Sequence, residues 1–293
     1  MEKYYIIGDH LFRISGEELL QALHLLPEFE IFESTAGDPE FAMEETHADP
    51  PEVTEKLLDH SYEGAKDVFG LTEDGYIVQH RPAGLGLCQF WTRRREKTVY
   101  INGEFSTLGV KALLRIAYSL MTSGQDTQDT HSSCIVYDGR AVCFLGKSGT
   151  GKSTHTRLWR ENIAGCKLLN DDYPILRFHE GQLWAYGSPW SGKTPCYLQE
   201  YYPVVAVVRL AQAADNHIFS LSGLQAVKHL LPTFYFASYG DAPLRDSAFA
   251  MMEKIMACCP VYRLECRPDR DASLLSFHTI FPEENFGNIA PPR

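Results

Sequence analysis

The glycine-rich segment Gly146–Ser153 constrains this chain more than any other feature. Its residues, Gly-Lys-Ser-Gly-Thr-Gly-Lys-Ser, satisfy the phosphate-loop pattern G-x-x-x-x-G-K-[S/T] at each fixed position. The apolar run Ala141–Leu145 precedes it and predicts a buried strand, and the residues from Lys152 onward predict a helix. A strand, a tight glycine-rich turn and a helix start are the context in which such a loop binds phosphate groups.

The residue types of this segment suit phosphate binding. Glycines allow the backbone to turn tightly and to direct its N–H groups inward as an anion nest. The helix N-terminus adds a partial positive charge. Lys152 is expected to reach the β and γ phosphates, and the Ser153 hydroxyl to coordinate Mg²⁺. The predicted nucleotide-binding residues are Gly146, Lys147, Ser148, Gly149, Thr150, Gly151, Lys152, Ser153 and Thr154.

Composition argues against several other classes of protein. The formal net charge of −11 and the pI of about 5.5 argue against a broad nucleic-acid-binding surface. No apolar stretch approaches a membrane-spanning length and the N-terminus has no long apolar segment, so neither a membrane span nor a signal peptide is expected. Eight cysteines without a C-x-x-C pair indicate reduced, mostly buried thiols and hence a cytoplasmic protein.

Residues 1–105 predict a small β-rich α+β domain, in which turn residues such as Asp74-Gly75 separate short strands. Ala36–Glu55 is acidic and rich in proline, and it predicts a long exposed loop. Phe105–Leu120 predicts an amphipathic helix capped by Ser106, and the domain boundary is placed near residue 105. The predicted strands are Tyr4–Ile7, Leu11–Ile14, Phe29–Phe32, Tyr76–His80, Leu87–Trp91 and Thr98–Ile101.

Residues 106–293 predict a larger α/β domain. A hairpin of Ser133–Tyr137 and Arg140–Leu145, joined by Asp138-Gly139, leads into the glycine-rich segment. Pro203–Leu210 is the most continuous β-branched run and predicts a fully buried strand. The other predicted strands are Lys167–Asn170, Ile175–Phe178, Leu183–Tyr186, His217–Leu221 and Val261–Cys266, and the predicted helices are Lys152–Ile163, Gly223–Leu231, Leu244–Cys258 and Asp269–Phe277.

The pair Asp171-Asp172 follows the predicted strand Lys167–Asn170, one helix and one strand after the glycine-rich segment. A phosphate-transferring site needs a carboxylate at such a strand end to hold Mg²⁺, and a kinase also needs one to receive the proton of the attacking hydroxyl. Since adjacent residues on an extended backbone point to opposite sides, one aspartate is expected to face the metal and the other the acceptor. The alternative is that the pair only starts the turn before Tyr173-Pro174.

A third segment, Gly187–Lys193, combines two glycines, a proline and a lysine after a predicted strand. This composition indicates a shaped loop close to charge. Lys193 is expected to meet a phosphate, and Trp190 or Ser191 to contact the acceptor. The alternative is an ordinary turn with a buried tryptophan.

The hairpin that enters the glycine-rich segment, His131 ahead of it and Asp171-Asp172 after it together resemble the C-terminal domain of HPr serine kinase/phosphorylase and, more widely, the ATP-type phosphoenolpyruvate carboxykinase fold. The resemblance covers about residues 130–280. It implies a phosphate-loop kinase domain with a mixed sheet rather than a doubly wound parallel sheet. It also implies that Lys152 and Ser153 handle phosphate and Mg²⁺, and that the aspartates supply a metal ligand, Asp171 in our assignment, and the acid/base. His131 would lie near the site and is a further catalytic candidate.

These features predict an ATP- and Mg²⁺-dependent phosphotransferase that moves the γ phosphate to a hydroxyl group. The acceptor is expected to be a Ser or Thr of a peptide or protein, recruited by residues 1–105. Three alternatives stay open: a kinase of small hydroxy metabolites, a nucleotide-binding regulator without transfer activity, and a nucleoside triphosphatase that drives a conformational change. The sequence does not decide between ATP and GTP.

Overall fold

The computed structural model describes residues 1–192 and 194–283. Lys193, a predicted phosphate contact, therefore lies outside the described residues. The chain divides into two compact units, Met1–Gln125 with Tyr239–Leu244, and Asp126–Ser238 with the chain from Arg245 onward. Both units contain a large mixed sheet, which confirms the predicted α/β class at that level. No helix in the described part of the chain is both long enough and apolar enough to cross a membrane.

The first unit is built on a sheet in which most neighbouring strands are antiparallel. Its elements are β1 (Glu2–Ile7), β2 (His10–Ser15), α1 (Glu17–His24), a 3-10 helix (Pro27–Phe32), β3 (Glu33–Ser34), β4 (Phe41–Glu45), β5 (Glu55–Tyr62), β6 (Ala65–Leu71), β7 (Gly75–Arg81), β8 (Cys88–Arg93), β9 (Thr98–Gly103) and α2 (Thr107–Thr122). The strand order is β3-β1-β2-β4-β9-β8-β7-β6-β5, with parallel pairing at β2–β4 and β4–β9. The strand β5 consequently forms one edge of this sheet.

Two predictions for the first unit are wrong. Phe29–Phe32 is not a strand but part of the 3-10 helix, because Pro27 in its first turn has a fixed φ and no N–H that needs a partner. The predicted loop Ala36–Glu55 contains β4, whose first three side chains are buried. The acidic residues and prolines on both sides of β4 hide this short apolar run. Helix α1 and the hairpin of β5 and β6 were not predicted.

Helix α2 has the predicted cap, since the Ser106 Oγ accepts a hydrogen bond from the Gly109 N–H at 3.2 Å. Its buried side, which includes Leu113 and Ala117, contacts β7 and β8. The helix therefore belongs to the first unit, which extends beyond the boundary placed near residue 105. An amphipathic pattern shows that a helix has a buried side, but it does not show which sheet that side covers.

The chain from Asp126 onward forms a second mixed sheet with helices. Its elements are β10 (Thr127–Asp129), β11 (Ser132–Tyr137), β12 (Arg140–Leu145), α3 (Lys152–Asn162), β13 (Lys167–Asn170), β14 (Ile175–His179), β15 (Gln182–Tyr186), β16 (Tyr201–Gln212), β17 (His217–Leu221), α4 (Gly223–Leu230), a 3-10 helix (Leu231–Thr233), α5 (Tyr235–Tyr239), α6 (Ala242–Cys258), β18 (Val261–Cys266) and α7 (Arg270–Ile280). The strand order is β10-β14-β15-β16-β12-β11-β13, and β18 pairs with β16 and β17. The pairs β12–β16 and β16–β18 are parallel, whereas β11 is antiparallel to β12 and β13.

The strand β12 lies at the centre of this sheet and leads into the glycine-rich segment. Asp138 and Gly139 have positive φ values of 46° and 69°, as the tight turn of the predicted hairpin requires. Successive side chains of β12 enter opposite cores: Cys143 packs in a cluster with Met252 of α6, and Phe144 in a cluster with Trp159 of α3. Helices therefore cover both faces of the sheet, and the end of β12 is fixed from both sides.

Helix α3 contains a buried histidine that we expect to make stability depend on pH. His155 is 3% exposed, packs against Phe144, and has its Nε2 3.0 Å from the Ser276 Oγ. Burial lowers the pKa of His155 from its ordinary value of 6.5 to about 3. Between these two pH values the unfolded chain binds a proton that the folded chain does not. The free energy of unfolding therefore carries no penalty from His155 above about pH 6.5, and it falls as the pH is lowered from 6.5 towards 3.

The test compares the wild type with His155→Gln, which keeps a polar side chain at this position but does not titrate. From pH 7 to pH 4, the free energy of unfolding should fall more steeply in the wild type, by up to about 1.4 kcal/mol per pH unit. Urea unfolding followed by tryptophan fluorescence measures both slopes. Equal slopes would contradict the assignment of a neutral, buried His155.

Candidate active site

The glycine-rich segment Gly146–Ser153, called the glycine-rich loop below, connects the end of β12 to the N-terminus of α3, and its last two residues, Lys152 and Ser153, begin α3. Gly149 and Gly151 have φ values of 76° and 108°, a region that favours glycine over residues with a Cβ. The Gln212 side chain, at the end of β16, donates a hydrogen bond to the Gly149 carbonyl oxygen at 3.1 Å. The loop leads directly into α3. The first-turn N–H groups of α3 lack helical partners and can bind an anion.

Lys152, the first residue of α3, is the buried cation of the loop. It is 8% exposed, and its Nζ donates to the Gly146 carbonyl oxygen at 3.0 Å and to the His131 Nε2 at 2.7 Å. Burial lowers the pKa of Lys152, while the nearby Asp172 and Asp171 carboxylates act in the opposite direction. A polyphosphate in the loop would add negative charge beside this ammonium and favour its charged form.

His131 connects Lys152 to Asp172. Because its Nε2 accepts from Lys152, its Nδ1 carries the proton and faces the Asp172 Oδ1 at 3.0 Å. This is an ion-pair distance. The Nδ1 makes no hydrogen bond to Asp172 or to any other atom of the described residues. The His131 and Asp172 side chains are 28% and 30% exposed. The three predicted residues thus form one chain of polar contacts, in which Lys152 is buried and His131 and Asp172 are accessible to solvent.

Asp171 is held quite differently from Asp172. It is 3% exposed, and its carboxylate accepts hydrogen bonds from the Ser133 hydroxyl at 3.1 Å and from the Thr194 N–H at 3.2 Å. The Ser133 Oγ also lies 3.1 Å from the Thr156 Oγ1 of α3. The strand β13 ends at Asn170 as predicted, and the two aspartates lie in a bend instead of on the extended backbone expected there, so the difference between them comes from their surroundings.

The third sequence segment packs on the aspartate pair. The Tyr173 N–H donates to the Trp190 carbonyl oxygen at 3.1 Å, and a Cβ added at Gly192 would lie 3.3 Å from the Cβ of Asp172. Trp190 and Ser191 are 3% and 7% exposed, and the Ser191 hydroxyl donates to the Thr194 carbonyl oxygen. These contacts hold the segment Gly187–Gly192 beside the aspartate pair, and the buried tryptophan of the alternative interpretation is present.

The residues suggested for Mg²⁺ can be tested by their donor atoms. Each oxygen of Asp171 accepts one hydrogen bond, which leaves lone pairs for a cation, and Ser153 is exposed at the start of α3. Mg²⁺ is usually held by one or two carboxylates, with phosphates and waters completing its shell. This donor set fits Mg²⁺ bound together with a nucleotide. In the described residues, no group of three or more His, Cys, Asp or Glu side chains is placed to hold a metal ion by itself.

A cationic cavity of about 500 Å³ lies beside the loop and was not predicted from the sequence. Arg209 of β16, His229 of α4 and Arg263 of β18 line it together with Lys147 and other residues of the loop. The one available signal was Arg209, a charged residue in the otherwise apolar run Val204–Leu210. His229 and Arg263 carry no sequence signal, because only the strand order brings them to the loop.

Comparisons with known proteins add little to this geometry. No protein-family model and no curated protein matches the chain. A solved structure of the Hpr(Ser) kinase/phosphatase from Coxiella burnetii matches with a TM-score of 0.32 and 15% sequence identity, over 53% of this chain and 89% of that chain. At this TM-score the similarity carries no argument, so function has to be argued from the residues of this chain.

Proposed function

We propose that this protein is a phosphotransferase that moves the γ phosphate of ATP to a hydroxyl group. The observation that carries the proposal is the contact chain from Lys152 of the glycine-rich loop through His131 to Asp172. It joins a phosphate-binding cation to a carboxylate of the kind that receives a hydroxyl proton. A loop that only bound a nucleotide would not need an accessible carboxylate in this position.

The site residues have separate roles in transfer. The hydroxyl oxygen of the acceptor attacks the γ phosphorus, the bond from this phosphorus to the β–γ bridging oxygen breaks, and the hydroxyl proton passes to Asp172. The Lys152 ammonium offsets the negative charge that develops on the leaving oxygen. His131 lies between Lys152 and Asp172, with its Nδ1 3.0 Å from the Asp172 Oδ1, and its ring fixes the position of the carboxylate relative to the loop. Asp171 and Ser153 would hold Mg²⁺, which neutralises phosphate charge when bound.

The nucleoside would extend from the loop along α3. A cavity of about 470 Å³ is lined by Thr154 and Leu158 of α3, Leu210 of β16 and Pro268 ahead of α7. Its mixture of apolar and polar residues suits a base and a ribose. The lining residues do not distinguish adenine from guanine. We propose ATP and not GTP because the sequence resembles the ATP-type phosphoenolpyruvate carboxykinase fold.

We infer that the acceptor hydroxyl belongs to a Ser or Thr of a peptide. The first unit supports this, since its edge strand β5 is eight residues long and largely exposed, and such an edge can pair with an extended peptide. Radiolabel transfer from ATP into a peptide library and into a panel of free hydroxy metabolites separates the alternatives. Labelling of metabolites alone would make the protein a small-molecule kinase, and binding without labelling would make it a regulator.

Nucleotide binding should depend on the loop backbone. ATP with Mg²⁺ should stabilise the wild type by about 2.7 kcal/mol at a hundred times its dissociation constant, which raises the thermal midpoint. Gly149→Ala should reduce this shift. The matched control is Gly165→Ala, because Gly165 has a φ of 82° against 76° for Gly149 and both have open space around an added Cβ. Both variants therefore carry a similar backbone strain, and only one lies in the loop. A wild type that no nucleotide stabilises would overturn the proposed function.

A further inference from the structure

The cationic cavity beside the glycine-rich loop is not used by the transfer mechanism above. It lies on the β16 side of β12, whereas His131 and the aspartates lie on the side of β11 and β13. Gln212, which lines the cavity, donates a hydrogen bond to the Gly149 carbonyl oxygen at 3.1 Å, so the cavity borders the loop at this residue.

Two arginines occupy paired positions in this cavity. Arg209 of β16 and Arg263 of β18 are in register on neighbouring parallel strands, about 4.8 Å apart in such sheets. Like charges at paired positions destabilise a sheet unless something compensates them. Arg263 has an ion pair with Glu265, but its buried Nε has no hydrogen-bond partner in the described chain. Within the described residues, Arg209 has no ion pair at all.

The other lining groups are also suited to an anion. Among the residues that the structure describes, no aspartate or glutamate lines the cavity, and the loop contributes the exposed Lys147 and the hydroxyl groups of Ser148 and Thr150. The pKa of His229 is lowered, first by burial and then by Arg263 and Arg209. The charge of Arg209 also lowers the pKa of Lys152, so the cavity and the loop share one field. A negatively charged group would relieve this accumulation of positive charge.

We propose that this cavity is an oxyanion site that takes a carboxylate or a phosphate group while a nucleotide occupies the glycine-rich loop. That a nucleotide occupies the glycine-rich loop at the same time rests on the proposed function. Arg209 and Arg263 are the main ligands, because guanidinium groups bind carboxylate and phosphate oxygens in pairs. The oxyanion belongs either to the phosphoryl acceptor itself or to a free anion that regulates transfer.

Equilibrium dialysis of the full-length protein against radiolabelled inorganic phosphate, with saturating Mg²⁺ and a non-hydrolysable ATP analogue, tests the site. The wild type should bind about one phosphate per chain, and Arg209→Gln and Arg263→Gln should each weaken binding by about tenfold or more. Arg157→Gln is the control, because Arg157 is an exposed arginine paired with Glu161 on α3. Two separate arginine variants, with thermal midpoints checked, keep the test valid if one of them fails to fold.

Three results would overturn the proposal: no phosphate bound beside the nucleotide analogue, equal binding by the arginine variants, or phosphate displaced by the analogue. The last result would assign the arginines to the phosphates of the nucleotide. Phosphate binding that needs Arg209, in a protein that binds no nucleotide, would support the oxyanion site and reject the proposed function. The two proposals can therefore fail independently.

The source of the oxyanion follows from transfer assays with paired acceptors. Serine peptides with a free terminal carboxylate are compared with the same peptides as amides, with and without added inorganic phosphate. Preference for the carboxylate form, lost in Arg209→Gln and inhibited by phosphate, assigns the site to the acceptor. Equal labelling of both forms, with a rate that free phosphate changes, assigns it to a regulatory anion. Transfer that responds to neither would overturn the proposal.

Discussion

Replacement of Asp172 by asparagine is expected to lower phosphoryl transfer by about a hundred- to ten-thousand-fold, which is the usual contribution of a general base. The Asp172 carboxylate is accessible and lies 3.0 Å from the His131 Nδ1. The backbone is held without the carboxylate, since the Asp172 N–H donates to the Asn170 Oδ1 and its carbonyl oxygen accepts from the Ser132 N–H, both at 2.9 Å. The amide therefore removes the proton acceptor and keeps the turn.

The control for this variant is Asp138→Asn, which makes the same change of charge at an exposed hairpin turn with a φ of 46°, a value that asparagine tolerates. It should transfer phosphate at the wild-type rate. Both variants should keep the thermal shift with ATP and Mg²⁺, so that the loss in Asp172→Asn lies in transfer. Near-normal transfer by Asp172→Asn would show that another group takes the proton and would leave Asp172 with only a structural role in the turn.

The parts of the site that could be predicted from the sequence are those that depend on neighbours along the chain. The fixed pattern of the loop located Lys152 at the first residue of a helix, and Asp138-Gly139 located the hairpin that leads into it. The strand Lys167–Asn170 has the predicted bounds and carries the aspartate pair to the loop. Local turn chemistry and apolar runs determine these features, so one sequence is enough to find them.

The sequence could not separate the two aspartates. Alternation along an extended strand suggested that they differ by direction, but the strand ends before them. Their difference comes from Ser133 and Thr194, which bind Asp171, and from His131, which faces Asp172. These partners come from other segments of the chain, so the pattern around residue 171 does not contain the information.

The pair of cavity arginines was missed for the same reason, whereas two errors in the first unit have local causes. Arg209 and Arg263 meet because β16 pairs with β18 in parallel, a pairing between strands far apart in the chain. The run Phe29–Phe32 has strand composition, yet Pro27 starts a 3-10 helix there. Strand β4 is short enough to be lost among acidic residues and prolines. In these last two cases a local feature, the proline or the flanking charged residues, outweighs the composition of the run.

Replacement of Lys152 by methionine is expected to lower both nucleotide affinity and transfer, the latter by about a hundredfold or more, as loss of a group that stabilises transition-state charge does. Methionine has a similar length and no charge, and it suits a side chain that is 8% exposed. The fold should survive because two effects oppose each other. The variant loses the hydrogen bonds to the Gly146 carbonyl oxygen and the His131 Nε2, but it also removes the cost of burying the ammonium.

The same variant also tests the link between the loop and the carboxylate. Without the Lys152 ammonium, the His131 Nε2 loses its donor, so the ring is free to turn away from Asp172. The rate of transfer at saturating ATP no longer depends on nucleotide affinity. It should nevertheless be lower in Lys152→Met than in the wild type. Lys97→Met, at an exposed turn of the first unit, is the control and should match the wild type. Wild-type affinity and transfer in Lys152→Met would mean that the loop does not bind phosphate in the way its sequence predicts.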